Sequence, residues 1–486
     1  MDSLILQSSG RSTFADDAKT PSSVSIIGMG YVGLCSAVCF ASSGTRVFGV
    51  EVDEKKRLMI QGGVSPIHER DIEMYLTSSL ATGNFSCGSG ISDAVEQSGI
   101  TFVTVGTPSS PSGEIDLRFV EAVASELGDA LREKRNKLGN RYHLVVIKST
   151  VTPGTTMGLV RSMIERKSGM RYPDEFGLCV NPEFLREGSA IEDTFKADAV
   201  VIGSDDERSL QALSAFYRRF YGERSLPRMI SMGASNAEIV KYSINTFRAT
   251  QLSFLNSLSN LCERIPGSDV GDVIKGLSSV TRLDERYLRP GLGYGGSCLP
   301  KDVRALTKMF LRAGVDASIL VAATAINELQ PRRALLVAQE LLDGCIEGRR
   351  IAILGLTFKA GTDDVRESVA IKLAGLFVES GSKVSVYDPQ GMENAKSILG
   401  DRVSYASSAS DCLARADCCI LTTEWEEFRN LPPEEFRRSM SNPVIIDGKR
   451  ILDARAFARA GVEVYALGKY HSSKSKILTV DPIESK

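Results

Sequence analysis

The sequence predicts an α/β protein with two doubly wound, parallel-sheet domains joined by a helical segment that contains a long central helix. Three observations carry this. A strand, glycine loop, helix and second strand follow one another from Val24, and a similar unit restarts after Glu347. Between them, Ala234 to Ile265 has apolar residues at helical spacing and no proline. The 486 residues are enough for two or three domains, each with its own core.

Composition narrows the function classes. Hydrophobic residues make up 43% and charged residues 24%, ordinary for a soluble globular protein. Lys plus Arg number 58 against 60 for Asp plus Glu, a net charge of −2, so the chain has no electrostatic footprint for nucleic acid or an anionic membrane. No apolar run approaches the ~20 residues that span a bilayer. Residues 1–21 are polar, lack a signal-peptide pattern, and read as a mobile extension. Ten scattered cysteines without a C-x-x-C pair, and three histidines, argue against a disulfide framework or a zinc site. A reducing cytoplasm is the expected home.

The first unit, "VSIIGMGYVGLCSAVCFASSGTRVFGVEVDEKK", places Gly28, Gly30 and Gly33 in a G-x-G-x-x-G pattern between a β-branched strand and an apolar helix. Gly28 makes the tight turn, Gly30 lets backbone approach a pyrophosphate, and Gly33 allows close helix–strand packing, with the helix N-terminus facing the phosphates. Glu51 ends the second strand, where a carboxylate takes ribose hydroxyls and repels a 2′-phosphate. The expected cofactor is therefore NAD on a Rossmann-like domain, residues 22–230.

Two further strand ends, "FVTVGT" and "VVIKST", bring Thr107 and Thr150 to the carboxyl edge of that sheet, where ligands bind. "NPEFLREGSA" follows another strand and carries Glu183 and Glu187; taken alone, these suit a solvated loop equally well. On the long helix, Lys241 and Asn245 are four apart and share a face. Such a pair is simply a wet face unless the helix crosses beneath a site. Residues 231–335 form this helical segment, including "LRPGLGYGGSCLPKD", in which Cys298 follows a glycine-rich turn and precedes Asp302 by four residues. Pro300 marks a helix start there, a placement that lowers a thiol's pKa. The other nine cysteines read mostly as core filler.

After Glu347, "RRIAILGLTFKAGTDDVRES" and "KVSVYDP" echo the first unit with a degraded glycine pattern. Asp388 ends the second strand, and Lys359 and Arg366 lie in the loop. A basic loop on such a domain, residues 336–470, suits the phosphates of a nucleotide or sugar nucleotide. The cleft between the domains is the expected site. Residues 471–486 form a tail.

With "GMGYVGL", "KSTVTPGT", "NPEFLREGSA", "KYSINTF", "RPGLGYGGSCLPKD", "GLTFKAGTDDVRES" and "DGKR" in this order, the chain resembles the nucleotide-sugar 6-dehydrogenases, the UDP-glucose and GDP-mannose dehydrogenase family, over residues 22 to 470. The resemblance implies four-electron oxidation of a hexose C6 alcohol to a carboxylate with two NAD. It makes Cys298 the nucleophile that forms a thiohemiacetal and then a thioester. It implies that Asp302 orients or activates water, Lys241 and Asn245 stabilise oxyanion charge, and Glu183 serves thioester hydrolysis with Thr150 placing the water. Around the cofactor it adds Tyr31, Val32, Lys56, Glu187 and Arg366 to the glycines, Glu51, Thr107 and Thr150. For the substrate it adds Phe184, Leu185, Phe358 and Lys359, then Tyr287, Leu288, Arg289, Gly295 and Arg450. Arg282 matches an arginine that reaches a neighbouring subunit's site, so a homodimer or higher homo-oligomer is expected.

Two departures stand out. "PIHERDI", Pro66 to Ile72, puts Arg70 and Asp71 where relatives often have Pro-Gly, which leaves that loop's conformation open. Leu299 replaces an aromatic residue and leans toward GDP-mannose enzymes, whereas Arg282 and Gly188 lean toward UDP-glucose. The alternatives kept open are a GDP-mannose or other nucleotide-sugar enzyme, a two-electron hydroxy-acid dehydrogenase, and a non-catalytic NAD-binding protein.

Overall fold

The computed structural model describes residues 23–110, 113–281, 284 and 288–471. The expected terminal extension and nearly all of the tail, together with Arg282 and Tyr287, lie outside the described residues.

The first sheet contains β1 (Ser23–Ile27), β2 (Arg46–Val50), β3 (Phe85–Gly88), β4 (Ile100–Val103), β5 (His143–Ile147), β6 (Phe176–Val180), β7 (Ala199–Gly203) and β8 (Arg228–Met232). Their order is β3-β2-β1-β4-β5-β6-β7-β8, parallel throughout except between β6 and β7. Period-two alternation divides β1 between two cores: Ile26 enters one cluster with Phe40 and Phe216, and Ile27 enters the other with Leu127 and Val145. The strand order reverses between β1 and β4, which opens a crevice at their carboxyl ends.

The second sheet holds β9 (Arg350–Leu354), β10 (Lys383–Tyr387), β11 (Ser404–Tyr405), β12 (Cys418–Leu421), β13 (Val444–Asp447) and β14 (Glu463–Ala466), all parallel, in the order β11-β10-β9-β12-β13-β14. Here too alternate residues divide, with Ile351 and Ile353 on one face and Ala352 and Leu354 on the other.

Between the sheets run the long helix Ala234–Cys262 and two helices packed on it, Leu299–Arg312 and Ser318–Leu341. The long helix buries several polar residues and exposes several apolar ones. Lys241 and Asn245 are only 5% and 8% exposed, while Phe247, Phe254 and Leu261 are 61%, 56% and 52% exposed. Its buried side carries polar groups among Ala237, Tyr242, Ala249 and Leu255, and an apolar row spaced at seven residues faces out. No helix among the described residues is long and apolar enough to cross a membrane.

Candidate active site where three loops meet

The glycine loop is shaped to receive a nucleotide. Gly28 has φ +94°, and a side chain on Gly33 would lie 1.9 Å from the Gly28 carbonyl oxygen, so only glycine lets the helix Tyr31–Ser42 start this close to β1. Gly30 caps that helix and has nothing within 4 Å of the point where a side chain would begin, which leaves the first-turn amides approachable. Glu51, at the end of β2, is held by the Met29 and Asp53 amides at 3.1 and 2.9 Å. Val32 lies in the first turn of the helix, and Lys56 lies exposed on the next helix. Thr107 donates to the Thr150 carbonyl at 2.8 Å, joining the loops after β4 and β5. The Glu51 counterpart in the second domain, Asp388, is consumed by its own loop: it accepts from the amides of Leu356, Thr357, Gln390 and Gly391 and from Trp425.

Cys298 caps the helix Leu299–Arg312, with Pro300 in its first turn. The Asp302 amide donates back to the Cys298 carbonyl at 2.9 Å, which sets Asp302 one turn on. Asp302 is 1% exposed, and both its oxygens are bonded, to Lys301 Nζ and Asn245 Nδ2, each at 2.6 Å. One turn back on the long helix, Lys241 Nζ donates to the Glu183 carbonyl at 2.6 Å and to Glu183 Oε1 at 2.7 Å. The carboxylates of the 183–187 loop are therefore drawn into the site and are not solvated.

The electrostatics divide these groups. Burial works to lower the Lys241 pKa, but Glu183, Cys298 and Asp302 together outweigh it and raise the value. Burial likewise works to raise Glu183, but Lys241 and the Leu185 amide, at 2.7 Å, hold it low. The thiol departs from the sequence expectation. Cys298 is reachable by solvent, yet protein encloses it at longer range, and that desolvation raises its pKa. Lys241 pulls the other way, Glu183 and Asp302 add to the rise, and the helix start does not lower the net value. Eight of the other nine cysteines are buried as expected; Cys345 is exposed.

The second domain closes the site. Gly188 has φ +79°, and a side chain there would lie 2.4 Å from the Gly361 carbonyl oxygen, so the loops of the two domains touch backbone to backbone. Gly295 is equally tight, since its side chain would meet the Glu367 carbonyl at 2.3 Å; the Gly296 amide donates to the Arg366 carbonyl, and Phe358 packs on Gly296. Glu187 joins all three segments. It accepts from Ser297 Oγ at 3.2 Å and Thr362 Oγ1 at 3.3 Å, and lies 3.6 Å from Arg366, whose guanidinium is clasped by Asp364. Burial and then Asp364 raise the Glu187 pKa against Arg366, Ser297 and Lys359. Burial lowers that of Lys359, with Glu187 opposing. Phe184 lies under the Lys241 ammonium, 5.6 Å from ring centre to Nζ.

Other expected substrate residues are more dispersed. Leu288 is buried. Arg289 is exposed at a recess of about 90 Å³ that it shares with Asn256, Gly291, Glu424 and Lys449. Arg450 is engaged with Asp269 and the Leu467 carbonyl, each at 2.5 Å, and ties the second domain to the helical segment. Arg282 and Tyr287 lie outside the described residues. Leu299 packs, partly buried, against the cluster of Tyr242, Tyr294 and Leu306.

Sequence reasoning missed Glu69, Ser297, Thr362, Asp364 and Lys148. Glu69 bonds the Gly188 and Ala190 amides at 2.7 and 3.0 Å, and Tyr31 Oη also accepts from Gly188 at 2.7 Å. The altered loop thus anchors the Glu187 segment. Its Asp71 sits at φ +63°, a left-handed position that Gly fills readily and Asp tolerates. Ser297 stood beside the cysteine in plain view. Lys148 bonds Asn181 Oδ1 at 3.0 Å, and its pKa is lowered to about 8, first by burial and then by Lys241, against Glu183.

Comparison with known proteins places this geometry among relatives. The NAD-binding-domain model of the UDP-glucose/GDP-mannose dehydrogenase family matches residues 22–221, the central-domain model matches 235–329, and the UDP-binding-domain model matches 352–454. The chain is 38% identical over 437 residues to the UDP-glucose 6-dehydrogenase AglM of Haloferax volcanii, covering 89% of this chain and 97% of that one. It is 34% identical to the UDP-glucose 6-dehydrogenase TuaD of Bacillus subtilis, covering 92% and 93%. A UDP-glucose dehydrogenase structure from the archaeon Pyrobaculum islandicum superimposes with a TM-score of 0.82 at 37% identity, covering 92% of this chain and 98% of that one.

Proposed function

The chain belongs to the UDP-glucose/GDP-mannose dehydrogenase family, as an NAD-dependent nucleotide-sugar 6-dehydrogenase, and on that premise we propose that it oxidises UDP-glucose at C6 to UDP-glucuronate through covalent intermediates on Cys298. One observation carries the covalent reading. Cys298 caps a helix whose next turn presents Asp302 to Asn245, one turn from Lys241 on the long helix, so nucleophile, cation and carboxylate converge.

Gly28, Gly30, Gly33, Glu51, Thr107 and Arg366 would hold NAD, which supplies the hydride acceptor twice per substrate. Lys241, kept charged by its neighbours, stabilises negative charge on the C6 oxygen, and Asn245 keeps Asp302 in place to orient water. Cys298 adds to the aldehyde as thiolate, giving a thiohemiacetal and, after the second oxidation, a thioester. Glu183, with Thr150 placing the water, serves its hydrolysis. The second domain, with Phe358 and Lys359 at its loop, takes the nucleotide.

The oligomer we propose is a homodimer or a larger homo-oligomer built on the outward apolar row Phe247, Phe254 and Leu261. Ten cysteines, none of them in a disulfide, support a reducing compartment, the cytoplasm.

The test is NADH yield at completion with UDP-glucose, GDP-mannose, UDP-galactose and the N-acetylhexosamine nucleotides. Two NADH per UDP-glucose are expected. The same ratio with another sugar would change the substrate, and one NADH would replace the reaction. Cys298→Ser should abolish turnover and leave NAD binding intact; a variant with a large residual rate would overturn the covalent route.

A further inference from the structure

Ser297 has no role in the reaction above, yet it stands between the nucleophile and a carboxylate. Its Oγ lies 3.5 Å from Cys298 Sγ and 3.2 Å from Glu187 Oε1. The turn that presents it is held tightly, because Gly295 and Gly296 on one side of it pack on the Glu367 backbone and the Phe358 ring. The other carboxylates near the thiol are already committed, Glu183 to Lys241 and the Leu185 amide, and Asp302 to Lys301 and Asn245.

Resting on the assignment of Cys298 as nucleophile, we propose that Ser297 passes the thiol proton to Glu187, leaving the thiolate that attacks the aldehyde. The S–H bond breaks as its proton goes to Ser297 Oγ, and the serine's own proton goes to Glu187 Oε1. Sulfur keeps the bonding pair, the serine ends as it began, and the carboxyl ends neutral, so no oxidant or reductant enters. Lys241, Glu183, Asp302 and Arg366 are the charges around the thiol, and Arg366, Asp364 and Lys359 are those around Glu187. Enclosure holds the proton on an isolated Cys298, but it also makes Glu187 a stronger proton acceptor than an ordinary carboxylate, which narrows the gap the bridge through Ser297 has to cross.

The experiment is inactivation by iodoacetamide across pH, in the full chain carrying Cys345→Ser so that Cys298 is the exposed thiol read. Ser297→Ala should displace the profile upward by about one pH unit, about tenfold slower at neutral pH, while Ser297→Thr keeps the wild-type profile. Glu187→Gln should move the profile in the same direction, and the double variant should be no slower than either single one. A charge effect alone would move Glu187→Gln the other way, since removing a carboxylate favours a thiolate. An unmoved Ser297→Ala profile, or effects of the two sites that multiply, would overturn the relay. Should Cys298→Ser retain turnover, the nucleophile assignment fails instead, so the two failures are distinguishable.

Discussion

Asn245 Nδ2 donates to Asp302 Oδ2 at 2.6 Å, and this bond fastens the long central helix to the helix capped by Cys298. Because Lys241 lies one turn before Asn245, the same contact sets the ammonium against Glu183 and toward the thiol. Two segments separated by more than fifty residues thereby act as one rigid support.

Glu183→Gln keeps the shape of this support and removes its charge. The carboxamide can still meet Lys241, but it cannot serve as the base proposed for the hydrolytic water. The expected outcome is hydrolysis slowed by ~10²–10⁴-fold, with an acyl adduct on Cys298 accumulating during turnover. Intact-protein mass spectrometry checks this. A variant slowed to that extent without an adduct would take Glu183 out of the hydrolytic step.

Lys148 gives a prediction about stability. Its pKa in the fold is about 8, whereas a free lysine titrates near ~10.4. The fold therefore bears the full cost of the buried charge below about pH 8, and that cost fades as pH rises toward ~10.4, because the unfolded chain binds the proton longer. Lys241, whose pKa is raised, stabilises below its unfolded value and loses that contribution only above it; Glu183, held low, contributes throughout this range. The Tm of Lys148→Met relative to wild type should be most favourable near pH 7 and decline by pH 10. The lost bond to Asn181 adds an offset, but the slope comes from the proton. A difference constant across pH would refute it.

Much of this was legible in the chain itself. The glycine loop, Glu51 and the cysteine turn are local patterns, and each needs only its neighbours to be understood. What stayed hidden depends on long-range packing. Glu69 reaches Gly188 across 119 positions, and nothing within "PIHERDI" announces that reach. The polar pair on the long helix read as a wet face because periodicity shows which residues share a side, not which side is inside. The raised thiol pKa follows from burial, with Glu183 and Asp302 adding to it from separate segments, a quantity that no single stretch contains. Asp388 looked like a second Glu51, and only its saturated hydrogen bonds separate the two.

Gly188 tests the apposition of the two domains. An alanine there would adopt φ +79° and press its methyl toward the Gly361 carbonyl, a backbone atom that cannot swing away. Gly361 has a comparable φ of +81° with nothing within 4 Å of its side-chain position. Both alanines bear the left-handed cost of ~1–2 kcal/mol, but only Gly188→Ala also parts the loops. It should raise the KM for the nucleotide sugar and lower kcat well beyond Gly361→Ala. Equal kinetic effects would reduce the contact to backbone strain.

Phe254 tests the outward face of the long helix. With Phe247 and Leu261 it forms a row at intervals of seven, each residue more than half exposed, on a helix whose inner face holds Lys241 and Asn245. Apolar residues at that spacing suit a helix paired with its copy, since water is a poor solvent for so much aromatic surface. Phe254→Asp would place a carboxylate at the centre of such a seam, where desolvation and repulsion from its symmetry mate both oppose pairing. Light scattering after gel filtration should give an oligomer for the wild type and a monomer for the variant. Because Arg282 is expected to serve the neighbouring site, the monomer should also show a raised KM for the nucleotide sugar with NAD affinity preserved. An unchanged mass in the variant would move the interface elsewhere, and a monomer with wild-type kinetics would keep the interface while removing Arg282 from the partner's site.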